Sequence, residues 1–541
     1  MEQQNKAALT RRTFLAGSAV AAAAAGLTLA GCGGGGSTEG GSTPAPEGGS
    51  TAAPASGGTL TGACAYTSTN VDPRGLNGGS ALMLAATWHV FEGLYDLDLH
   101  TYKTYNALAA GEPTKVSDTE YEVALRDGAK FSDGSDVTTA DVVNAFEVNM
   151  ADATCGAFLS FIDGVSAKDD KTVSIKLKYP FDALLKGRLS VVKVYPASLT
   201  DDQLKTKPIG SGPWMYDSIN GDDGGTIKFV PNPNYAGSMT PTADSMEWNI
   251  VLDSTARTTA LQEASVQVME SVPDANADQL IASGASVDYL QGFNQAFLMF
   301  NTQKKPFNDP RVRQAFFYAI DTEKLINNQL AGHASKVTGF LPEDHANYHK
   351  ASMVYEHDVE KAKSLLAEAG VENLEFTMVT NNNWVKDLAA QIQEDLKAAG
   401  ITMTNAEQKI NWSEYAESDS ELAYDVMLTP GDPTCFGNDP DLLMSWWYGD
   451  NIWTQGRTCW KKAGDGKFEE LQTLMQQARE ATDAKKQQEI WNQCFDLLSE
   501  EVPLYPLFHR ELATGYQSSM ISGYKPIATT GLVFLGASVA Q

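Results

Sequence analysis

The spacing of hydrophobic residues changes repeatedly along the chain. Thr172-Val173-Ser174-Ile175-Lys176-Leu177 alternates apolar and polar strictly, and Tyr121 to Leu125 does the same. Alternation of this kind predicts half-buried strands. Further strands are expected over 226–230, 297–301, 374–379, 401–404, 426–428 and 502–508. Between them the period becomes 3.6. It predicts helices over 81–94, 138–150, 255–264, 276–282, 358–369, 385–399, 467–480 and 483–499, and one starting at Asp309. Repeated switching between the two periods indicates a mixed α/β chain.

The N-terminus has a different pattern. Arg11-Arg12-Thr13-Phe14-Leu15 leads into an apolar run, Ala16 to Ala30, and then Leu29-Ala30-Gly31-Cys32. The run is shorter than the roughly 20 residues that span a bilayer, and it suits a signal-peptide core. The paired arginines resemble a twin-arginine export signal, and Leu-Ala-Gly-Cys resembles a lipobox in which Cys32 carries the lipid. The expected localisation is therefore exported and lipid-anchored on the outer face of the cytoplasmic membrane, within a periplasm where an outer membrane exists. Residues 33–58 are Gly, Ser, Thr, Pro and Ala with two Glu, too polar and too small to build a core. They predict a flexible tether with a reach of about 28 Å.

Charge and cysteines narrow the picture. The 541 residues carry a formal charge of −28, and loss of residues 1–31 with Lys6, Arg11, Arg12 and Glu2 takes it to −30. Such an excess of acid disfavours nucleic acid and anionic lipid and mildly favours cationic ligands. Six cysteines occur, with no CxxC or zinc-like spacing, and there is no GxSxG or HExxH motif. No metal site, no cofactor and no enzyme activity are expected.

The richest stretch is Thr429 to Trp460, with acids at Asp432, Asp439, Asp441 and Asp450 and tryptophans at 446, 447, 453 and 460. Gly431-Asp432-Pro433 and Asp439-Pro440 read as turns, since Asp bonds its own backbone and Pro fixes φ. Carboxylates and aromatic faces on a loop after a buried strand suit a cation with an attached apolar group. Cys435 and Cys459 flank the loop as a candidate disulfide, worth about 3 kcal/mol of loop-closure entropy.

Several motifs, in order, carry a resemblance: RDGAKFSDGSDVTTADVVNAF (126–146), PIGSGPW (208–214), PNPNYAG (231–237), PFNDPRVRQAFFYAID (306–321), DVEKAKSLLAEAG (358–370) and VPLYPLF (502–508). Together they resemble family 5 extracellular solute-binding proteins, the peptide- and nickel-type receptors of ABC importers. The resemblance implies a two-lobed periplasmic-binding-protein-like α/β fold. Lobe I would cover 59–295 with a return over 506–541, and lobe II 296–505. A small peptide would bind between closing lobes. The partners would be an ABC permease and its ATPase subunits, with membrane contact through the N-terminal lipid only, and the chain would be a monomer. Peptide receptors of this family set an Asp of a Gly-Asp…Asp-Pro loop against the ligand ammonium. The matching positions here are Asp432 and Asp439, with Asp432 favoured. The segment holding Asn70 and Val71 resembles the strand that bonds a peptide backbone. Trp384, Trp446 and Trp447 would line side-chain pockets.

One departure leaves the ligand open. Dipeptide-type members carry an Arg after the strand at 374–379, whereas this chain reads Thr380-Asn381-Asn382-Asn383-Trp384-Val385-Lys386. A longer peptide or a non-peptide solute (a metal chelate, an opine-like compound or an oligosaccharide) fits that loop as well.

Overall fold

The structure, a computed structural model, describes residues 57–74, 87–152, 155–381, 384–408 and 424–541. The signal peptide, Cys32, all but the end of the tether and the first half of the helix expected over 81–94 lie outside the described residues.

Three sheets organise the folded part. The largest has eight strands. Seven run in the order Ser286–Gln291, Phe508–Tyr516, Val268–Met269, Thr59–Cys64, Ser245–Ile250, Thr226–Pro231 and Trp214–Ser218, and Ala334–Lys336 pairs with Phe508–Tyr516 off this path. The second has five, in the order Thr402–Gln408, Glu375–Asn381, Val426–Gly431, Gln295–Phe300 and Leu504–Pro506. The third is an antiparallel sheet of four strands between Thr114 and Leu177.

Two short joints carry the chain directly from one of the first two sheets to the other. Ser286–Gln291 pairs in the first and Gln295–Phe300 in the second, so Gly292 to Asn294 make one crossing. The run expected as one strand over 502–508 is instead divided. Leu504–Pro506 pairs with Gln295–Phe300, and Phe508–Tyr516 pairs with Ser286–Gln291. Leu507 is the joint. Its flanking residues are apolar enough to be buried on either side of the break, so hydrophobicity alone could not reveal it.

The central strands of the second sheet are buried on both faces. All six residues of Gln295–Phe300 are buried, as are the first four of Val426–Gly431. The helices of the fold start on caps that the sequence predicts. Thr138 and Asp141 form a reciprocal capping box at Thr139–Ala151, and Asp309, Asp358 and Asp483 each cap the helix that starts beside them. Asn232, from the PNPNYAG motif, donates to Gly212 O of the PIGSGPW turn at 2.8 Å and ties the two motifs together.

Candidate functional site

The strand expected over 426–428 runs on to Gly431 and delivers the chain directly to Asp432. Beyond it the chain does not form the loop expected from the sequence. A short 3-10 turn, Thr434–Phe436, leads to α-helices over Pro440–Tyr448, Ile452–Thr458 and Trp460–Ala463. Asp439-Pro440 is a helix start: Asp439 accepts from Leu442 N at 3.0 Å and Pro440 occupies the first helical position. The same two residue types that favour a turn also favour this start, and the apolar residues of Leu442–Tyr448, buried on most sides, decide between them.

The two candidate acids have different surroundings. Asp439 accepts both Arg188 guanidinium nitrogens, at 2.7 and 2.6 Å, besides capping its helix. Arg188 also reaches Asp441 at 2.9 Å, and Asp441 takes Arg479 Nε at 2.6 Å. Burial pushes the Asp441 carboxyl up, but the charges of Arg479 and Arg188 outweigh this and hold it below the usual carboxylate range. Asp439 is therefore paired within an ion network whose other members, Arg188 and Asp441, are buried.

Asp432 has no such cation. Its Oδ1 accepts from Thr434 N at 2.9 Å and from the Thr434 hydroxyl at 2.5 Å, and its Oδ2 from the Thr529 hydroxyl at 2.9 Å. No basic side chain pairs with it among the described residues. Burial pushes its carboxyl above the usual range against these hydrogen bonds and one from Thr530 N. Tyr102, at the turn between the strands Tyr95–Asp98 and Lys103–Asn106, lies alongside, where burial and the Asp432 charge push its phenol up. A carboxylate held only by hydroxyls and amides can accept an ammonium group.

The tryptophans divide as well. Trp447 is 2% exposed and packs on Phe297, with ring centroids 4.4 Å apart, so it belongs to the core. Trp446 stacks on Phe158 at 6.2 Å. Arg457 lies over both indoles, 5.1 and 4.8 Å from their centroids. Burial lowers its pKa to about 9. Trp384 begins a 3-10 turn, Trp384–Leu388, and carries Arg510 on its face. Asn70 Oδ1 accepts from Asp72 N at 3.0 Å and Val71 is fully buried, but the segment lies outside the sheets.

The Cys435–Cys459 bridge is not formed. Both thiols are free and buried, and each faces a carbonyl of its own segment, Pro433 O at 3.9 Å and Gln455 O at 3.2 Å. The intervening residues, expected as loop, are helical and hold the two cysteines on separate turns. Sequence reading also missed Arg188, Arg479, Arg510, Tyr102 and Thr529. None of them left a clear signal: Arg188 sits between Lys186 and Lys193 in a stretch of leucines and valines and is not set apart there.

Gly431 sets the distance between Asp432 and the core. A Cβ there would stand 2.1 Å from a ring carbon of Trp447. Gly431→Ala is expected to displace that indole and cost about 1–3 kcal/mol, as overpacking does. Urea unfolding monitored by tryptophan fluorescence checks this.

Comparison with known proteins bears on this geometry. The model of "Bacterial extracellular solute-binding proteins, family 5 Middle" matches residues 103–455. This chain belongs to family 5 of the bacterial extracellular solute-binding proteins. As a family 5 solute-binding protein it is a binding protein of the ABC-importer type and not an enzyme. It is similar to the glutathione-binding protein GsiB of Escherichia coli strain K12, 26% identical over 494 residues, covering 87% of this chain and 92% of that one. A shorter match to GsiB of Pectobacterium atrosepticum is 31% identical and covers 58% of this chain and 61% of that protein. Among solved structures, the periplasmic binding protein DppA of Helicobacter pylori in complex with peptide STSA superposes with TM-score 0.77 at 22% identity, covering 90% of this chain and 98% of that one. AgaA of A. tumefaciens R10 in complex with agropinic acid gives TM-score 0.77 at 24% identity, covering 90% of this chain and 99% of that one. The fold is thus the two-lobed, class II periplasmic-binding type expected for the family. Among the described residues, no helix is long and apolar enough to cross a membrane.

Proposed function

We propose that the chain is a lipid-anchored receptor that binds peptides by their N-terminal ammonium and delivers them to an ABC permease. The observation that carries this reading is Asp432, a half-buried carboxylate held by Thr434 and Thr529 without a basic partner among the described residues. It sits where the end of the Val426–Gly431 strand meets Tyr102 and Thr529. The two crossings at 292–294 and 507 support lobes of 59–295 with 506–541 and of 296–505. On that division Asp432 belongs to lobe II, and Tyr102 and Thr529 to lobe I. Closure of one lobe on the other would then complete the ammonium site. Anchoring rests on Cys32 in Leu-Ala-Gly-Cys.

A non-peptide solute is the second reading. It is favoured by the absence of Arg from the 380–386 loop and by the likeness to AgaA. Thermal melting against a broad peptide library separates the two. A cognate peptide at a hundredfold excess over Kd is expected to stabilise by about 2.7 kcal/mol. No shift with any peptide, beside a clear shift with another solute class, overturns the peptide reading.

A further inference from the structure

Arg510 leaves the Phe508–Tyr516 strand towards the Trp384–Leu388 turn. Its guanidinium carbon lies 4.3 Å from the Trp384 ring centroid. Its nearest acid is Asp274, with Nη2 to Oδ2 at 3.6 Å, and the two side chains are 11% and 6% exposed. That separation is longer than a hydrogen bond. Arg510 Nε, Asp274 Oδ1 and the Tyr289 hydroxyl are all buried without a hydrogen-bond partner among the described residues. Tyr289 borders the same group, its ring stacked on His333 with centroids 3.4 Å apart, and His333 Nδ1 lies 3.1 Å from Glu511 Oε2.

A guanidinium offers five donors in a rigid fork that matches a carboxylate. Here the fork is stacked and nearly buried, its Nε has no hydrogen-bond partner among the described residues, and its Nη2 has only the loose ion pair with Asp274. Leaving such a group unsatisfied costs free energy that an arriving acceptor recovers. The cluster is also connected to the ammonium site. Gln295 Oε1 accepts from Arg510 N at 3.1 Å, and the Gln295 backbone pairs with Gly431, the residue before Asp432.

We propose that Arg510, its guanidinium lying on Trp384, receives a carboxylate of the ligand, so that the cargo is a zwitterion held at Asp432 and at Arg510. The inference rests on the proposed ammonium role of Asp432. It supplies from the crossover strand the cation that the 380–386 loop lacks. Asp274 opposes the incoming carboxylate. Either it gives up its loose contact with Arg510 or it meets the ligand protonated, and burial already pushes its carboxyl up while Arg510 and His333 pull it down. Two sources of the carboxylate share this chemistry, the C-terminus of a short peptide and an acidic side chain.

Calorimetric titration of the full chain with three probes tests the proposal: a free-ended tripeptide with a central glutamate, its C-terminal amide and its glutamine counterpart. For the wild type, one of the two neutralised probes is expected to bind at least about thirtyfold more weakly than the parent, and which one identifies the source. Arg510→Gln should remove that difference and leave the three alike, while Arg510→Lys restores part of it. Equal binding of all three probes to the wild type overturns the proposal without any variant and leaves the peptide reading intact. Loss of all three by the same factor in Arg510→Gln, with a lowered thermal midpoint, also overturns it. Binding of none of the three to the wild type counts against the peptide reading itself.

Discussion

Asp432→Asn is expected to weaken binding of a peptide with a free N-terminus by about 2–5 kcal/mol, on the order of thirtyfold to several thousandfold. An N-acetylated peptide should bind wild type and variant alike, and equal loss for both would reject the ammonium role. The reason is local. Asp432 is desolvated, holds only hydroxyl and amide donors, and has no cation among the described residues. A ligand ammonium would be its first counter-charge. Asparagine keeps the shape and removes the charge, so the ligand-free variant should be as stable as the wild type or more so.

The same carboxylate gives the binding a pH dependence of definite sign. Its pKa in the free protein is raised, chiefly by burial. The ammonium favours the ionised form, so binding expels a proton wherever Asp432 is protonated beforehand. As pH falls through the raised value, affinity should fall by up to about tenfold per unit. The facing Tyr102 phenol and Cys435 thiol are both pushed up by burial and stay protonated in this window. In Asp432→Asn the slope should vanish. Titrations at a series of pH values, with acetylated peptide as reference, read it directly.

Arg188→Met should destabilise the folded protein by about 3–5 kcal/mol, the cost of breaking a buried ion pair from one side. Arg188 is 1% exposed and bonds Asp439 and Asp441 together. Its removal leaves Asp441 with Arg479 alone and Asp439 with its capping bond. Urea unfolding at neutral pH measures the loss, and Arg188→Met with Asp439→Asn should recover part of it. Because Asp441 is held below its usual pKa, its contribution to stability is present above the unfolded value. It is lost as pH falls through the folded one. On the proposed lobe boundaries this network ties the short helix Leu185–Leu189 of lobe I to the helix Pro440–Tyr448 of lobe II. Arg188→Met should then also raise the apparent Kd for any ligand, since less of the protein is closed. A stability loss with unchanged affinity would show that the tie plays no part in closure.

Much of the fold was legible from local patterns. Thr172–Leu177 was read to the residue because strict alternation has one interpretation. The helix Lys467–Glu480 and the Asp-capped helices came from periodicity and caps. The family was legible from its ordered motifs, and the match of Gly431-Asp432 to the family's ammonium loop is what favours Asp432. These features depend on residues close in sequence, whose preferences act before any long-range contact forms.

The rest required tertiary contacts. Asp439-Pro440 has the chemistry of both a turn and a helix start, and only the buried packing of Leu442–Tyr448 chose the helix. Asp432 and Asp439 look alike on paper. They differ because Arg188, some 250 positions away, reaches one and not the other. Cys435 and Cys459 seemed ready to pair until the helices between them set each thiol against its own segment. Trp447 became core because Gly431 leaves room for its ring, and Trp384 gained Arg510 from a strand near the end of the chain. Sequence reports what each residue can offer, but charge pairing and burial are decided by neighbours far apart along the chain, because a desolvated group takes its energy from whatever the fold sets beside it.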